Sequence, residues 1–83
     1  MLTNLRDYFV IKHSGLFDEK YYLLHNPDVR RADIDPLKHF IKFGWKEGRN
    51  PSEEFHTYYY LNTYPDVKNA GINPLVHFIK FGR

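Results

Sequence analysis

The stretch Phe17–Trp45 reads FDEKYYLLHNPDVRRADIDPLKHFIKFGW, and 38 residues further on Phe55–Arg83 reads FHTYYYLNTYPDVKNAGINPLVHFIKFGR. The two strings are identical at 17 of 29 positions. A period of this length is typical of helical arrays and solenoids, in which each unit packs against its neighbour. The sequence therefore predicts two tandem helical repeats of 38 residues. The first copy occupies 17–54 and the second copy occupies 55–83.

Capping side chains and prolines divide each copy into three short helices. Asp18 is an N-cap candidate for the first helix, which Asn26 should end because the proline after it disfavours helical geometry there. Pro27 suits the first position of a second helix. Asp35 precedes Pro36, so a capping side chain and a helix-starting proline agree on the start of a third helix. The corresponding start signals in the second copy are Pro65, Asn73 and Pro74.

Glycines and apolar spacing complete the prediction for each copy. Gly44 should end the third helix, while Gly48 and Gly71 should adopt positive φ. Apolar residues three and four positions apart form one inward stripe on a helix. We predict that the following side chains are buried: Leu23, Val29, Leu37, Phe40, Ile41, Leu61, Val67, Leu75, Phe78 and Ile79.

Residues 1–16 stand outside the repeat. Asn4–His13 reads as an amphipathic helix ended by Gly15. We predict that it caps the first copy by covering its exposed apolar face, with Leu5, Tyr8, Phe9 and Ile11. The predicted fold class is thus all-α, with two tandem repeats and an N-terminal capping helix. The second copy lacks the counterpart of Lys46–Pro51, so we expect it to be incomplete at its C-terminal end, in a longer polypeptide or array.

Composition narrows the classes of function. A chain of 83 residues buries only about 60 to 65% of the surface that its unfolded form exposes. Without cysteine it has neither disulfides nor thiolate metal ligands. A net charge of +2 with mixed signs argues against a nucleic-acid partner. Neither a signal peptide nor a transmembrane segment is apparent, so we predict a cytoplasmic location, with the inner face of the membrane as the alternative.

Three strings resemble a known family of repeats. SGLFDEKYYLLHNPDV (Ser14–Val29), DPLKHFIKFGWKEGRNP (Asp35–Pro51) and NPLVHFIKFGR (Asn73–Arg83) are similar to the short helical repeat of bacterial glycosyltransferases and other polysaccharide-biosynthesis proteins. That repeat reads FDxxYYLxxNPDV, then AGxxPLxHY or HF, then GxxEGRxP. The resemblance implies an accessory module that accompanies catalytic domains and does not itself transfer sugars.

The chain departs from the family pattern at three positions. Asp33 stands where glycine is usual, His56 where aspartate follows phenylalanine, and Tyr64 where asparagine precedes proline. All three are positions at helix ends. We therefore expect the departures to change capping details only.

Repetition argues against catalysis. A catalytic site is normally assembled once per domain from groups in unlike environments, whereas repeats usually form a binding surface or a spacer. The sequence also lacks a nucleophile elbow, a phosphate-cradling glycine loop and metal-ligand spacing. We predict that the chain is not an enzyme and has no catalytic residues, no metal and no cofactor.

Histidines and acids at equivalent positions have two interpretations. For His39 and His77 a metal site is the alternative to partly buried rings that bond a backbone carbonyl or an acid of the neighbouring unit. We favour the second, because no carboxylate follows either histidine at helical ligand spacing. Asp28 and Asp66 could form a pair of acid/base carboxylates. We instead predict a structural role, in which each accepts N–H groups or complements the dipole in the first turn of its helix.

Two surfaces are candidates for binding. Tyrosine rings fall on more than one helix face, so some should be exposed and able to stack on sugars; the alternative is that they lie at the core margin. The predicted glycan-binding residues are Tyr22, Trp45 and Tyr60. A basic stripe, whose alternative is a solvated helix face, would contact a partner or an anion. It comprises Lys38, Lys42, Lys46, Arg49 and Lys80, with Arg83 beyond them.

We predict a non-catalytic accessory or assembly module of a bacterial surface-polysaccharide biosynthesis protein. Its partner would be another protein or a catalytic domain of the same polypeptide. One alternative is a carbohydrate-binding module that uses exposed Tyr and Trp. A second alternative is a module that binds an anionic polymer or a membrane surface through the basic stripe. Glu47 and Arg49, which flank Gly48, should pair across the boundary between the two copies.

Overall fold

The protein is an all-α structure, as the sequence predicted. The computed structural model describes residues 2–82, with side chains from Leu5 onward. Within that range the chain forms helices and no β-strand. An isolated bridge joins Ser52 to Phe55 in the turn that leads into the second copy. No helix in the described range combines the length and the apolar character that crossing a lipid bilayer requires.

The helices of the second copy begin and end 38 residues after those of the first. The α-helices of the described chain are α1 (Leu2–Ser14), α2 (Glu19–His25), α3 (Pro27–Ala32), α4 (Pro36–His39), α5 (Thr57–Thr63), α6 (Pro65–Ala70) and α7 (Pro74–His77). Helix α4 continues as a π-helical stretch, Phe40–Gly44, and then as a 3-10 turn, Trp45–Glu47. Helix α7 continues as the π-helical stretch Phe78–Gly82.

Side-chain caps start the helices where the sequence predicted them. Asp18 accepts a hydrogen bond from the backbone three residues on, and Asp35 and Asn73 each accept from two N–H groups of the first turn. Proline occupies the first position of α3, α4, α6 and α7. His56 replaces the expected aspartate as the cap of α5, since its Nδ1 accepts from the Tyr59 N–H at 3.4 Å. The capping group changes, and the helix start does not.

The prediction that Gly44 ends the third helix is wrong. Its backbone is right-handed helical (φ −63°, ψ −46°), and the helix ends at Gly48, where φ is 78°. A Cβ at Gly44 would overlap the Tyr22 hydroxyl. Glycine therefore serves close packing here, not a change of chain direction. The positive φ predicted for Gly48 and Gly71 is confirmed.

The core runs through both copies and α1. The side chains predicted to be buried are buried, except that Leu23, Phe78 and Ile79 lie half-buried at the margin of the core. The prediction omitted several buried side chains, most of them on helix faces or turns that the sequence pattern assigned to the surface. They are Ile11, Tyr22, Trp45, Phe55 and Val76.

Helix α1 packs against α7 and against the π-helical stretches that follow α4 and α7. Ile11 is fully buried, and the Tyr8 hydroxyl donates to the Asp35 carboxylate at 3.3 Å. Leu5 and Phe9 were predicted on the same covering face but remain 54% and 51% exposed. Helix α1 thus buries a narrower stripe than its sequence pattern indicates, and part of its apolar surface stays open.

Candidate functional site

Each copy contains a tyrosine–histidine pair. The Tyr22 hydroxyl shares a hydrogen bond of 2.8 Å with Nδ1 of His39, and Tyr60 shares one of 2.7 Å with His77. Each bond joins the first helix of a copy to its third. The partner predicted for the histidines, a backbone carbonyl or a neighbouring acid, is wrong, because the tyrosine of the same copy occupies that place.

The protonation of the first pair favours a structural role. Burial raises the pKa of the Tyr22 hydroxyl well above its ordinary value. Burial lowers the pKa of His39 below its ordinary value, and the positive charge of Arg49 acts in the same direction. Both groups are therefore neutral near pH 7. A neutral tyrosine held in this way links two helices and is not an activated nucleophile.

Arg49 joins the turn after the first copy to the start of α3. Its Nη1 and Nη2 donate to the two oxygens of Asp28 at 2.9 and 2.8 Å, and Nη1 also donates to Asn26 Oδ1 at 2.9 Å. Nε donates to Glu47 at 2.8 Å, so the predicted pairing of Glu47 with Arg49 is confirmed. The hydrogen bonds from Arg49 lower the pKa of Asp28 to about 2. Asp28 is thus a structural residue, held chiefly by arginine.

Two of the predicted glycan-binding residues are not accessible. Tyr22 has no exposed surface and Trp45 is only 8% exposed. The Trp45 Nε1–H donates to the Ile41 carbonyl at 3.0 Å. Their rings cannot stack on a sugar in this structure, so this part of the prediction is wrong. Tyr60 is half-buried, and the tyrosines that α5 exposes are instead Tyr58 and Tyr59.

The basic stripe is only partly available. Lys38, Lys42, Lys46 and Lys80 are exposed, as a partner or anion surface requires. Arg49 is only partly exposed, and its guanidinium is taken up by Asp28, Glu47 and Asn26, so it should be removed from the predicted surface. Arg83, the last residue of the predicted stripe, lies outside the described residues.

A groove between α1 and the helix of α4 is the best-defined open surface. It has a volume of about 400 Å³, and we call it the α1–α4 groove. Its lining is apolar at the centre and positive at the edge. The lining residues are Leu5, Tyr8, Phe9, Lys38, Ile41 and Lys42.

The groove was not found from the sequence because the apolar spacing of α1 predicts burial for all its members. Leu5, Tyr8, Phe9 and Lys12 follow one another at helical spacing, and Lys12 lies 5.4 Å from the centre of the Tyr8 ring. A lysine at the end of an apolar stripe is the signal that indicates its border. It shows that part of this face contacts water.

Known chemistry and known proteins add no further site. Within residues 2–82 no group of three or more His, Asp or Glu side chains is arranged to hold a metal ion. Comparison of the chain with models of protein families, with curated proteins and with solved structures finds no match.

Proposed function

We propose that the chain is a non-catalytic accessory or assembly module of a bacterial surface-polysaccharide biosynthesis protein, acting in the cytoplasm. Two tandem helical repeats and a capping α1 would form its framework. In this proposal the module holds a catalytic domain or a partner protein in position and takes no part in sugar transfer. The similarity of its repeat strings to those beside glycosyltransferases supports the context.

The α1–α4 groove is the observation that carries the proposal. Two large apolar side chains, Leu5 and Phe9, are about half exposed side by side on α1. A small domain gains stability by burying such groups, and an exposed apolar groove is typical of a surface that a protein partner covers. By contrast, the tyrosine–histidine pairs and the Arg49 ion pairs are engaged in holding the module together.

Charge specifies the partner further. Lys38 and Lys42 line the groove and are exposed. A docking surface complementary to it would be apolar at its centre and acidic at its edge. We propose that this surface belongs to the catalytic domain or to another biosynthesis protein.

Photo-crosslinking in the producing bacterium tests this function. A photoreactive phenylalanine replaces Phe9 in the groove, and the matched control places it at Arg31, which is exposed on α3 outside the groove. We expect position 9 to crosslink a glycosyltransferase or another polysaccharide-biosynthesis protein, identified by mass spectrometry, and position 31 not to. Equal crosslinking from both positions, or crosslinks from position 9 to unrelated abundant proteins alone, would contradict the proposal.

Contact with an anionic membrane surface or polymer is the second candidate. It is favoured by the same face, where Lys38 and Lys42 adjoin the exposed rings and Leu5, since membrane-surface proteins combine cations with apolar groups. Sedimentation with vesicles that contain anionic lipid decides between the two. Binding that is lost in Lys38→Glu/Lys42→Glu and falls steeply with salt supports this candidate; binding that depends on neither excludes it.

A further inference from the structure

The joint between the first copy and the turn after it defines a recognition site. Gly48 adopts φ 78°, and this geometry directs Arg49 back onto the Asp28 carboxylate through two parallel hydrogen bonds. Planar two-point pairing of arginine with a carboxylate is both stronger and more specific than a single contact. The backbone reinforces the joint, because the Asp18 N–H donates to the Pro51 carbonyl at 2.9 Å.

The second copy presents the same carboxylate with no such turn on it. Asp66 follows Pro65 in the first turn of α6, as Asp28 follows Pro27 in α3. It is exposed, and among residues 2–82 no basic side chain forms an ion pair with it. Apolar groups around it are open as well, since Phe81 is 75% exposed whereas its counterpart Phe43 is 48% exposed.

We propose that this face of the second copy, centred on Asp66, docks a Gly-Arg turn of a partner protein. The partner segment would have the chemistry of Glu47–Gly48–Arg49, with a glycine in the left-handed conformation and an arginine directed at the Asp66 carboxylate. The inference rests on the proposed assembly role and names the chemistry of one partner. Continuity with the joint of the first copy, together with the matching charge of Asp66, supports this occupant.

One difference between the copies shapes the fit. Asn26, which accepts a hydrogen bond from Arg49, is replaced in the second copy by Tyr64. The Tyr64 ring packs 4.7 Å from that of Tyr60 and is 45% exposed. A guanidinium stacks well on a tyrosine face, so Tyr64 substitutes an aromatic contact for the lost hydrogen bond.

Titration with a peptide tests the site. The probe is a capped peptide with the sequence of Lys46–Phe55, KEGRNPSEEF, added to the isotope-labelled chain and followed by NMR. The internal turn already occupies Asp28, so we expect shifts at the amides of Tyr64–Val67 and not at Asp28. The dissociation constant should be on the order of 1 mM for so short a peptide. Joining the peptide to the chain through a flexible Gly-Ser linker raises its local concentration and should saturate the site.

Matched variants identify the contact. Asp66→Asn, or Ala in place of arginine in the peptide, should weaken binding about tenfold. Glu19→Gln, which removes one exposed negative charge from the first copy, should leave binding unchanged. Absence of shifts at Tyr64–Val67 in the tethered form, or shifts that survive Asp66→Asn, would overturn the inference. The experiment contains no biosynthesis enzyme, so its failure is distinguishable from failure of the groove crosslinking.

Discussion

At the scale of residues, the packing of the first copy depends on the absence of a side chain at Gly44. The Tyr22 hydroxyl occupies the space that a Cβ would need and from there reaches Nδ1 of His39. Buried polar groups are stable only when they are hydrogen-bonded. Glycine at this position therefore lets a large aromatic ring enter the core with its hydroxyl satisfied.

The first prediction concerns this close contact. Gly44→Ala should lower the free energy of unfolding by about 1 to 3 kcal/mol, because the added methyl displaces the Tyr22 hydroxyl. Tyr22→Phe removes that hydroxyl, so the Gly44→Ala change should be less harmful in the Tyr22→Phe background. Urea unfolding of the two single variants and the double variant measures the coupling. Strictly additive losses would show that the two groups do not compete for space.

The second prediction concerns Asp33. It adopts φ 56°, whereas Gly71 occupies the equivalent position in the second copy at φ 69°. Left-handed backbone is strained for a residue with a Cβ. Asp33→Gly should raise the free energy of unfolding by about 0.5 to 1 kcal/mol, and the reciprocal change Gly71→Asp should lower it by a similar amount. Urea midpoints of the two variants check both signs; a destabilising Asp33→Gly would show that the carboxylate outweighs the strain.

At the scale of elements, start signals were more informative than stop signals. Asp35 and Pro36 act on their own helix through adjacent backbone groups, so sequence spacing suffices to predict the start of α4. The role of Gly44 depends on Tyr22, which lies on another helix, and no local pattern contains that contact. The same holds for Trp45, assigned to an exposed turn and buried because the helix continues past Gly44 and turns the ring inward.

The candidate site was predictable to a similar extent. The exposed lysines follow from helical spacing alone. The α1–α4 groove depends on how much of α1 its neighbours cover, and Leu5 and Phe9 differ from Ile11 only in that tertiary contact. The Asp28–Arg49 pair spans 21 residues and is equally invisible to a local reading.

The third prediction compares two faces of the same helix. Phe40 is fully buried and Lys42 is exposed, although they are two residues apart. Phe40→Ala should lower the free energy of unfolding by about 3 to 5 kcal/mol through lost burial and the cavity left behind. Lys42→Ala should change it by less than about 0.5 kcal/mol. Thermal melts of both variants test the assignment, and comparable losses would mean that the inward face is wrongly identified.

The fourth prediction concerns the link between α2 and α4. Burial lowers the pKa of His39 in the folded state, so below about pH 6.5 the unfolded chain binds a proton that the folded chain excludes. His39 should therefore contribute a loss of stability as the pH falls from 6.5 towards its folded pKa, and no further loss below it. Urea midpoints between about pH 7.5 and pH 5 should fall more steeply in the native chain than in His39→Gln. Equal slopes would show that His39 titrates alike in both states.

At the scale of the whole molecule, polar chemistry lies inside and apolar surface lies outside. The tyrosine–histidine pairs tie the helices of each copy together, and Arg49 ties the connecting turn to α3. The groove beside Leu5 and the face around Asp66 remain open. This distribution suits a module that holds other segments in place, since the groups capable of acid–base chemistry are engaged within its own framework.

The central claim, that the module is accessory, is tested most directly by a transfer rate. The 83 residues are deleted from the polysaccharide-biosynthesis protein in which we propose they act, and sugar transfer to a small soluble acceptor is measured with and without them. The account predicts that this rate changes by less than about threefold, while the length of the polymer product or assembly with partners declines. A loss of several hundredfold in an otherwise folded enzyme would place the module within the catalytic apparatus and contradict the account.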